Sequence, residues 1–287
     1  MANDRIRFGP SGNSESFYAQ GHKHSVEMPQ WLHELGLDAY EYSFGRGVKL
    51  SEAKAAEIGA EAKKYNIAIS VHAPYYINLA SENEETRLKS RQYVYESAKA
   101  AKALGASRIV LHAGACGAGD RREALRVAMG ELESILQGLE EQNLAAAILC
   151  PETMGKPKQL GTLDEVLELC SLGNGMLPTV DFGHINALEQ GSLKAEDDYR
   201  RIIDAIDRRL GSHAAASFHI HFSHIEYGKS GEVRHLTFED EAYGPDFRPL
   251  ANVLRERNMT PVVICESRDV MAEDALKMKQ MVESAHG

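Results

Sequence analysis

The chain has 287 residues, of which 43% are hydrophobic and 26% are charged, and its formal net charge is −10 at pH 7. This composition is typical of a globular protein with a sizeable core, and it excludes a chain that is basic throughout. No apolar run approaches the ~20 residues of a membrane span, and residues 1–5 lack the apolar core of a signal peptide. We therefore expect a cytoplasmic protein with no membrane partner.

Short apolar segments alternate along the chain with longer amphipathic ones, without an internal sequence repeat. The apolar segments predict strands at residues 5–8, 39–44, 67–72, 108–112, 145–152, 177–181, 216–222 and 261–266. The amphipathic segments predict helices at residues 25–35, 51–65, 84–104, 121–141, 195–210, 247–257 and 272–284. A further helix should begin at Thr162, because Thr162 and Glu165 form a capping-box pattern. A long polar loop is expected at residues 223–245.

Eight strand–helix units in this length predict one α/β domain, a (β/α)8 TIM barrel that spans residues 1–287. An open, doubly wound sheet is the alternative fold. Such a sheet usually has a phosphate-binding glycine loop after its first strand, and Gly9-Pro10-Ser11-Gly12 does not match G-x-G-x-x-G.

The C-terminal strand ends of such a barrel converge on one mouth, and here they carry imidazoles and carboxylates. Asp181 ends the sixth strand, for example, and His184 is expected in the following loop. The candidate metal ligands are His72, His112, Glu152, Asp181, His184, His221, His235 and Glu266. These groups bind zinc and also suit manganese or iron. One four-coordinate metal needs about three protein ligands, so eight candidates predict two or three metals that share carboxylates.

Four further residues near these strand ends are ambiguous: His219, His224, Glu226 and Glu232. A single strand-end histidine is more often hydrogen-bonded in place than bound to metal, and a single acid often caps a helix. Both interpretations of these four residues remain open from the sequence.

The segments that carry the ligands form an ordered series: residues 71–80 (VHAPYYINLA), 111–114 (LHAG), 151–156 (PETMGK), 181–184 (DFGH), 220–235 and 264–266 (ICE). Over nearly the whole chain, this series resembles the endonuclease IV family of apurinic/apyrimidinic endonucleases. Residues 225–228 and 234–236 are most similar to its short, archaeal-type members. Ala113 replaces a proline of the family pattern, and Ser267-Arg268 replaces Thr-Pro.

The resemblance implies three zinc ions, with manganese as an alternative metal. The implied ligand sets are His72, His112 and Glu152 for the first ion, Glu152, Asp181, His221 and Glu266 for the second, and His184 and His235 for the third. The family's third site usually includes an Asp at the position of Val233. Its carboxylate is either missing here or supplied by Glu232 or Glu226.

The resemblance also implies an activity, namely hydrolysis of double-stranded DNA 5′ to an abasic site by a monomeric DNA-repair enzyme. Glu152 would be the catalytic carboxylate. Tyr75 and Arg46 would be substrate-binding residues that enter the duplex. The abasic sugar would be rotated out of the duplex into the pocket.

A sugar isomerase or epimerase on the same barrel is the main alternative, because such enzymes share the ligands Glu152, Asp181, His221 and Glu266 and bind one divalent metal. His72, His112, His184 and His235 favour the nuclease, whereas the net acidity and Val233 favour the isomerase. A protein that binds lesions without catalysis is a third possibility.

Overall fold

The computed structural model describes residues 5–117, 119–173 and 176–284. In these ranges the strands are β1 (Arg7–Pro10), β2 (Ala39–Ser43), β3 (Ala68–His72), β4 (Arg108–Leu111), β5 (Ile148–Pro151), β6 (Thr179–Asp181), β7 (His219–Phe222), β8 (Ile225–Gly228), β9 (Gly231–His235) and β10 (Val262–Cys265). All except β8 and β9 are parallel and belong to one barrel, while β8 and β9 form an antiparallel hairpin.

The helices lie between consecutive barrel strands, except for the last helix, which follows β10. They are α1 (Glu15–Ala19), a 3-10 turn (Ser25–Glu27), α2 (Met28–Leu35), α3 (Glu52–Lys64), α4 (Glu84–Leu104), α5 (Arg121–Glu141), α6 (Leu163–Cys170), α7 (Phe182–Leu188), α8 (Glu196–Leu210), α9 (Ser212–Ser217), α10 (Phe247–Glu256) and α11 (Met271–Ser284). No helix of the described segments is both long and apolar enough to cross a membrane.

The barrel is closed through two sheets, ordered β1-β10-β7-β6 and β2-β3-β4-β5. On one side, Ser11 pairs with Glu41, and the Gly12 N–H donates to the Glu41 carbonyl oxygen at 2.9 Å. On the other side, parallel bridges join Leu149 to Met176 and Glu152 to Thr179. The predicted TIM barrel is therefore confirmed, and the open-sheet alternative is wrong.

Helices pack on the outside of the barrel through one apolar face. In α8 the buried residues Tyr199, Ile202, Ile203 and Ile206 recur at spacings of one, three and four, which is the helical period. The barrel strands are buried along almost their whole length because helices cover one side and the interior the other. This arrangement holds the C-terminal strand ends, and the side chains they carry, in a rigid frame.

Local signals predicted several helix ends correctly. The Ser51 hydroxyl accepts the Lys54 N–H, and the capping box of Thr162 and Glu165 is formed at the start of α6. Gly36 ends α2 in the left-handed conformation that favours glycine (φ 81°).

Three differences from the predicted elements concern the region of the strand ends. The first strand lies at Arg7–Pro10 rather than at residues 5–8. Residues 216 and 217 belong to α9, where the Ser217 hydroxyl donates to the His213 carbonyl oxygen at 2.8 Å. The expected loop at residues 223–245 contains the β8–β9 hairpin, whose pairing closes over the tight Gly228–Gly231 connection.

Candidate metal centre

The sequence-predicted ligands come together at the C-terminal end of the barrel. His72 ends β3 and Asp181 ends β6, while His112, Glu152 and Glu266 directly follow β4, β5 and β10. Register explains the proximity, since Asp181 and Ile264 both pair with His221 in neighbouring strands. His184 was expected in a loop, but it lies on α7, because the Asp181 side chain accepts the His184 N–H at 2.8 Å and starts that helix.

A first group of ligand atoms surrounds one oxygen of Glu152. His72 Nε2 and His112 Nε2 lie 3.2 and 3.1 Å from Glu152 Oε2. The His72 Nδ1–H faces the Ala73 carbonyl oxygen at 2.8 Å, so the ring's proton is used there and its Nε2 lone pair faces the carboxylate. A neutral ring in this orientation is favourable beside the carboxylate oxygen only with a cation between them, either a second ring proton or a metal ion.

A second group shares Glu152 and reaches across the barrel. His221 Nδ1 lies 2.9 Å from Glu152 Oε1 and 3.4 Å from Glu266 Oε2. Asp181 completes the group, and one ligand atom from each of the four side chains lies within 4.8 Å of the others. Glu152 therefore stands between the first and second groups, with one oxygen directed to each.

The third group consists of His184, Glu232 and His235. His184 Nδ1 faces the Thr153 carbonyl oxygen at 2.9 Å, and His184 Nε2 lies 3.4 Å from Glu232 Oε2. Val233 is 57% exposed. Glu226 instead pairs with Arg234 at 2.7 Å. Of the two carboxylates that could replace the missing Asp, Glu232 is therefore the one beside the histidines.

Close docking of the hairpin brings Glu232 to this position. The Glu232 N–H donates to the Gly155 carbonyl oxygen at 2.9 Å. Gly231 has a positive φ of 85°, and a Cβ atom there would lie 2.1 Å from the same oxygen. The two backbones can approach this closely only because residue 231 is glycine.

The buried carboxylates and histidines of the cluster shift one another's pKa. Burial raises the pKa of Asp181 to about 6, against the opposing effect of His184. Burial also opposes the charge on His184, but the carboxylates of Asp181, Glu152 and Glu232 offset it and raise the His184 pKa to about 9. Among the described residues, Glu152, Asp181 and Glu266 form ion pairs only with histidines.

The residues fit divalent metal ions. Asp181 Oδ2 is buried and has no hydrogen-bond partner in the described part of the chain, although Oδ1 is used by the α7 cap. A buried carboxylate oxygen without a partner is costly unless a cation satisfies it. The mixed imidazole and carboxylate set suits zinc or manganese, and each of the three groups has at least three ligand side chains.

Tyr75 lies at the mouth of the cluster, whereas Arg46 lies beside it. Tyr75 is 51% exposed. Its ring centroid lies 5.0 Å from that of His72, and its hydroxyl is 3.2 Å from Ser43 Oγ. Tyr75 lines a cavity of about 630 Å³ together with the ligands, and Lys156, Arg234 and Arg268 line the same cavity.

Arg46 lines a neighbouring cavity of about 980 Å³ with Lys23, Lys49 and Lys54.

The four ambiguous residues have different environments in the structure. Glu232 joins the third group, whereas the His224 ring stacks on Phe238 and Glu226 pairs with Arg234.

His219 is fully buried and contacts Glu41, a residue that the sequence analysis did not select. The available signal for Glu41 was that it is the single acid in strand β2, between two tyrosines.

The fold and the ligand-type cluster define a (β/α)8 barrel with a candidate metal centre. A sequence profile of the xylose isomerase-like TIM barrel family matches residues 29–283, and the chain belongs to this family. A Methanocaldococcus jannaschii protein described as uncharacterized is 34% identical over 250 residues, which cover 86% of this chain and 88% of that protein. A probable endonuclease 4 of Thermoplasma acidophilum is 26% identical over 182 residues, 62% of this chain and 61% of that protein.

Solved structures of two kinds share the fold. Endonuclease IV from Thermus thermophilus superimposes with a TM-score of 0.72 at 18% identity, over 98% of this chain and all of that one. A D-tagatose 3-epimerase-like protein superimposes with a TM-score of 0.67 at 21% identity, over 86% of this chain and 87% of that one. The sequence relatives confirm the resemblance to the endonuclease IV family, whereas the structural likeness supports the barrel alone.

Proposed function

We propose that this protein is a metal-dependent phosphodiesterase that cuts the DNA backbone 5′ to abasic sites. The observation that carries the proposal is the third group, His184, Glu232 and His235, next to two groups that share Glu152. Three adjacent groups suit an anionic phosphodiester better than a neutral sugar, because several cations can then meet one phosphate. The ions we propose are zinc, two or three per chain, with manganese as an alternative.

The metal ions would polarise the scissile phosphate and lower the pKa of an attacking water. Glu152 would orient that water, because its two oxygens lie between the first and second groups. Lys156, Arg234 and Arg268 would attract the phosphates on either side of the scissile bond. Glu226 holds Arg234 in place at 2.7 Å.

Tyr75 and Arg46 are our candidates for contacts with the rest of the substrate. The cavity of about 630 Å³ has room for one sugar-phosphate unit but not for a duplex. An abasic nucleotide would therefore have to leave the helix to reach the cluster. Tyr75 could contact it at the mouth, while Arg46 and the lysines of the neighbouring cavity would follow the DNA backbone. We propose that a single chain suffices for this interaction.

Cleavage of a synthetic duplex with one abasic site tests the proposal. The metal-loaded protein should nick the lesion strand on its 5′ side, and Glu152→Gln should reduce the rate at least ~100-fold, because an amide is a weaker ligand than the carboxylate that the first and second groups share. Glu140→Gln, on the exposed face of α5, is the matched control and should cut normally. Intact duplex after incubation with fully loaded protein would contradict the nuclease proposal.

A sugar epimerase is the second candidate function. The four-residue group favours it, since Glu152 and Glu266 approach His221 Nδ1 from two sides and could exchange protons with a bound ketose. Epimerisation of a ketose by a protein with one metal per chain, without nicking, would support this candidate. Tight binding of the abasic duplex without either reaction would instead indicate a non-catalytic lesion-binding protein.

A further inference from the structure

A fully buried carboxylate lies in the barrel interior, on the side of His221 away from the proposed metals. This residue is Glu41, on β2. The Ser70 hydroxyl donates to Glu41 Oε2 at 2.7 Å, and His219 Nε2 lies 3.0 Å from the same oxygen. Glu41 Oε1 lies 3.0 Å from His221 Nε2. A buried carboxylate is strongly destabilising unless both its oxygens are satisfied.

Arg108 determines which nitrogen of His219 carries the proton. Arg108 is 7% exposed, and its guanidinium donates to the Ser217 carbonyl oxygen at 2.7 Å. Its second nitrogen lies 3.2 Å from His219 Nδ1. A guanidinium only donates, so His219 Nδ1 must accept, and the His219 proton resides on Nε2. That N–H then donates to Glu41 Oε2.

The position of the proton on His221 is constrained in a similar way by Glu41. A carboxylate only accepts, so Glu41 Oε1 favours a proton on His221 Nε2. The contact is at hydrogen-bonding distance although not well aligned, and neither atom has another hydrogen-bond partner in the described ranges. A metal ion would displace the proton that His221 Nδ1 otherwise shares with Glu152 Oε1 at 2.9 Å; with the remaining proton held on Nε2, the Nδ1 lone pair faces Glu152 and Glu266. This is the orientation of a metal ligand.

Glu41, His219 and His221 could themselves be taken for a metal site, because their ligand atoms also cluster within 4.8 Å. Charge argues against this interpretation. The Arg108 guanidinium already balances the Glu41 carboxylate through His219, and hydrogen bonds occupy Glu41 Oε2. The group around Asp181 has three carboxylates and only histidines as partners.

We propose that Glu41 is a positioning residue, which holds His221 in the tautomer that can bind metal, and that Arg108 and His219 hold Glu41 in the required state. The carboxylate would also increase the basicity of His221. The proposal rests on the metal centre of the proposed function but not on its substrate. It therefore requires a test that measures metal rather than DNA cleavage.

Glu41→Gln tests the proposal without a change in side-chain size. Arg108 keeps the proton of His219 on Nε2, so the glutamine oxygen must face His219 and its NH2 group must face His221. The His221 proton is then displaced to Nδ1, which blocks metal binding. Titration with Zn²⁺ against a chromogenic chelator should show one zinc per chain weakened by about 10–100-fold. Glu140→Gln should bind zinc like the unmodified protein.

The double variant Glu41→Gln/Arg108→Met distinguishes the tautomer from a general structural effect. Without the guanidinium, His219 can place its proton on Nδ1, and the glutamine can turn its oxygen towards His221. Zinc affinity should then recover at least ~10-fold relative to Glu41→Gln. Circular dichroism and thermal unfolding in chelator will verify that both variants are folded.

Unchanged zinc affinity in Glu41→Gln would overturn the proposal. Equal losses in the single and double variants would also overturn it, because the negative charge rather than the tautomer would then matter. Failure of the proposed function gives a different result: the unmodified protein would bind zinc and leave the abasic duplex intact, while the two Glu41 variants would still differ in zinc affinity.

Discussion

At the scale of single residues, Asp181 both caps a helix and belongs to a candidate metal group. One oxygen accepts the His184 N–H and starts α7, while the other is buried, lies 3.3 Å from His184 Nδ1 and has no hydrogen-bond partner in the described part of the chain. The cap also fixes the start of α7, the helix that carries His184 of the third group. The short Asp-x-x-His spacing therefore supplies residues to two neighbouring groups.

Glu232→Gln tests the third group at the residue scale. An amide is a much weaker metal ligand than a carboxylate, so His184 and His235 alone should hold the third ion weakly. After dialysis, elemental analysis should show about one metal per chain fewer than in the unmodified protein. Glu226→Gln, in the same hairpin but paired with Arg234, is the control and should retain its metal. The idea fails if both variants keep the same metal content.

At the scale of secondary-structure elements, the β8–β9 hairpin is the element that adds two side chains of the third group to the end of the barrel. It follows β7 directly and carries both Glu232 and His235. Its anchor is the close contact between its turn and the loop after β5, where the Glu232 N–H meets the Gly155 carbonyl oxygen. The position of the third group thus depends on backbone packing as well as on ligand identity.

Gly231→Ala tests this docking. The new Cβ would meet the Gly155 carbonyl oxygen at 2.1 Å, at a φ of 85° that alanine disfavours. We expect the variant to lose about 1–3 kcal/mol of unfolding free energy, measured by urea denaturation. The control is Gly228→Ala, because a Cβ there meets no heavy atom within 4 Å and φ is not positive. Equal stability of the two variants would show that the turn does not dock as described.

At the scale of the whole molecule, acidic groups are concentrated at one end of a chain that already carries a net charge of −10. Glu152, Asp181, Glu232 and Glu266 converge there from β5, β6, the hairpin and β10. The unfolded chain does not bring these groups together. The proposed metal ions would therefore bind the folded state preferentially, and they should stabilise it.

Removal of metal should lower the thermal stability of the whole protein. At a free metal concentration of about 100 times the dissociation constant, one ion adds about 2.7 kcal/mol, which corresponds to a shift of about 4–5 °C in Tm for a protein of this size. Differential scanning calorimetry before and after chelation will measure it. Zinc should restore the original Tm, which controls for damage by the chelator. An identical Tm after verified metal removal would refute the coupling.

The sequence alone determined the barrel and most of the ligand positions. Strands follow from short apolar segments, and helices follow from a period of 3.6 residues and from caps such as Ser51 and Thr162, which act between neighbours in the chain. Because parallel strands of a barrel end at one mouth, strand-end residues such as His72 and Asp181 could be predicted to meet.

Only the tertiary structure decided the remaining features. The choice of Glu232 over Glu226 depends on hairpin docking against Gly155, and the location of Arg46 in a separate cavity depends on the path of the loop after β2. Glu41 and His219 meet across the barrel although they lie 178 residues apart in the chain. Such contacts arise from the closure of the barrel, and no local pattern encodes them. The structure thus assigns charged neighbours to ligands that the sequence could only place at strand ends.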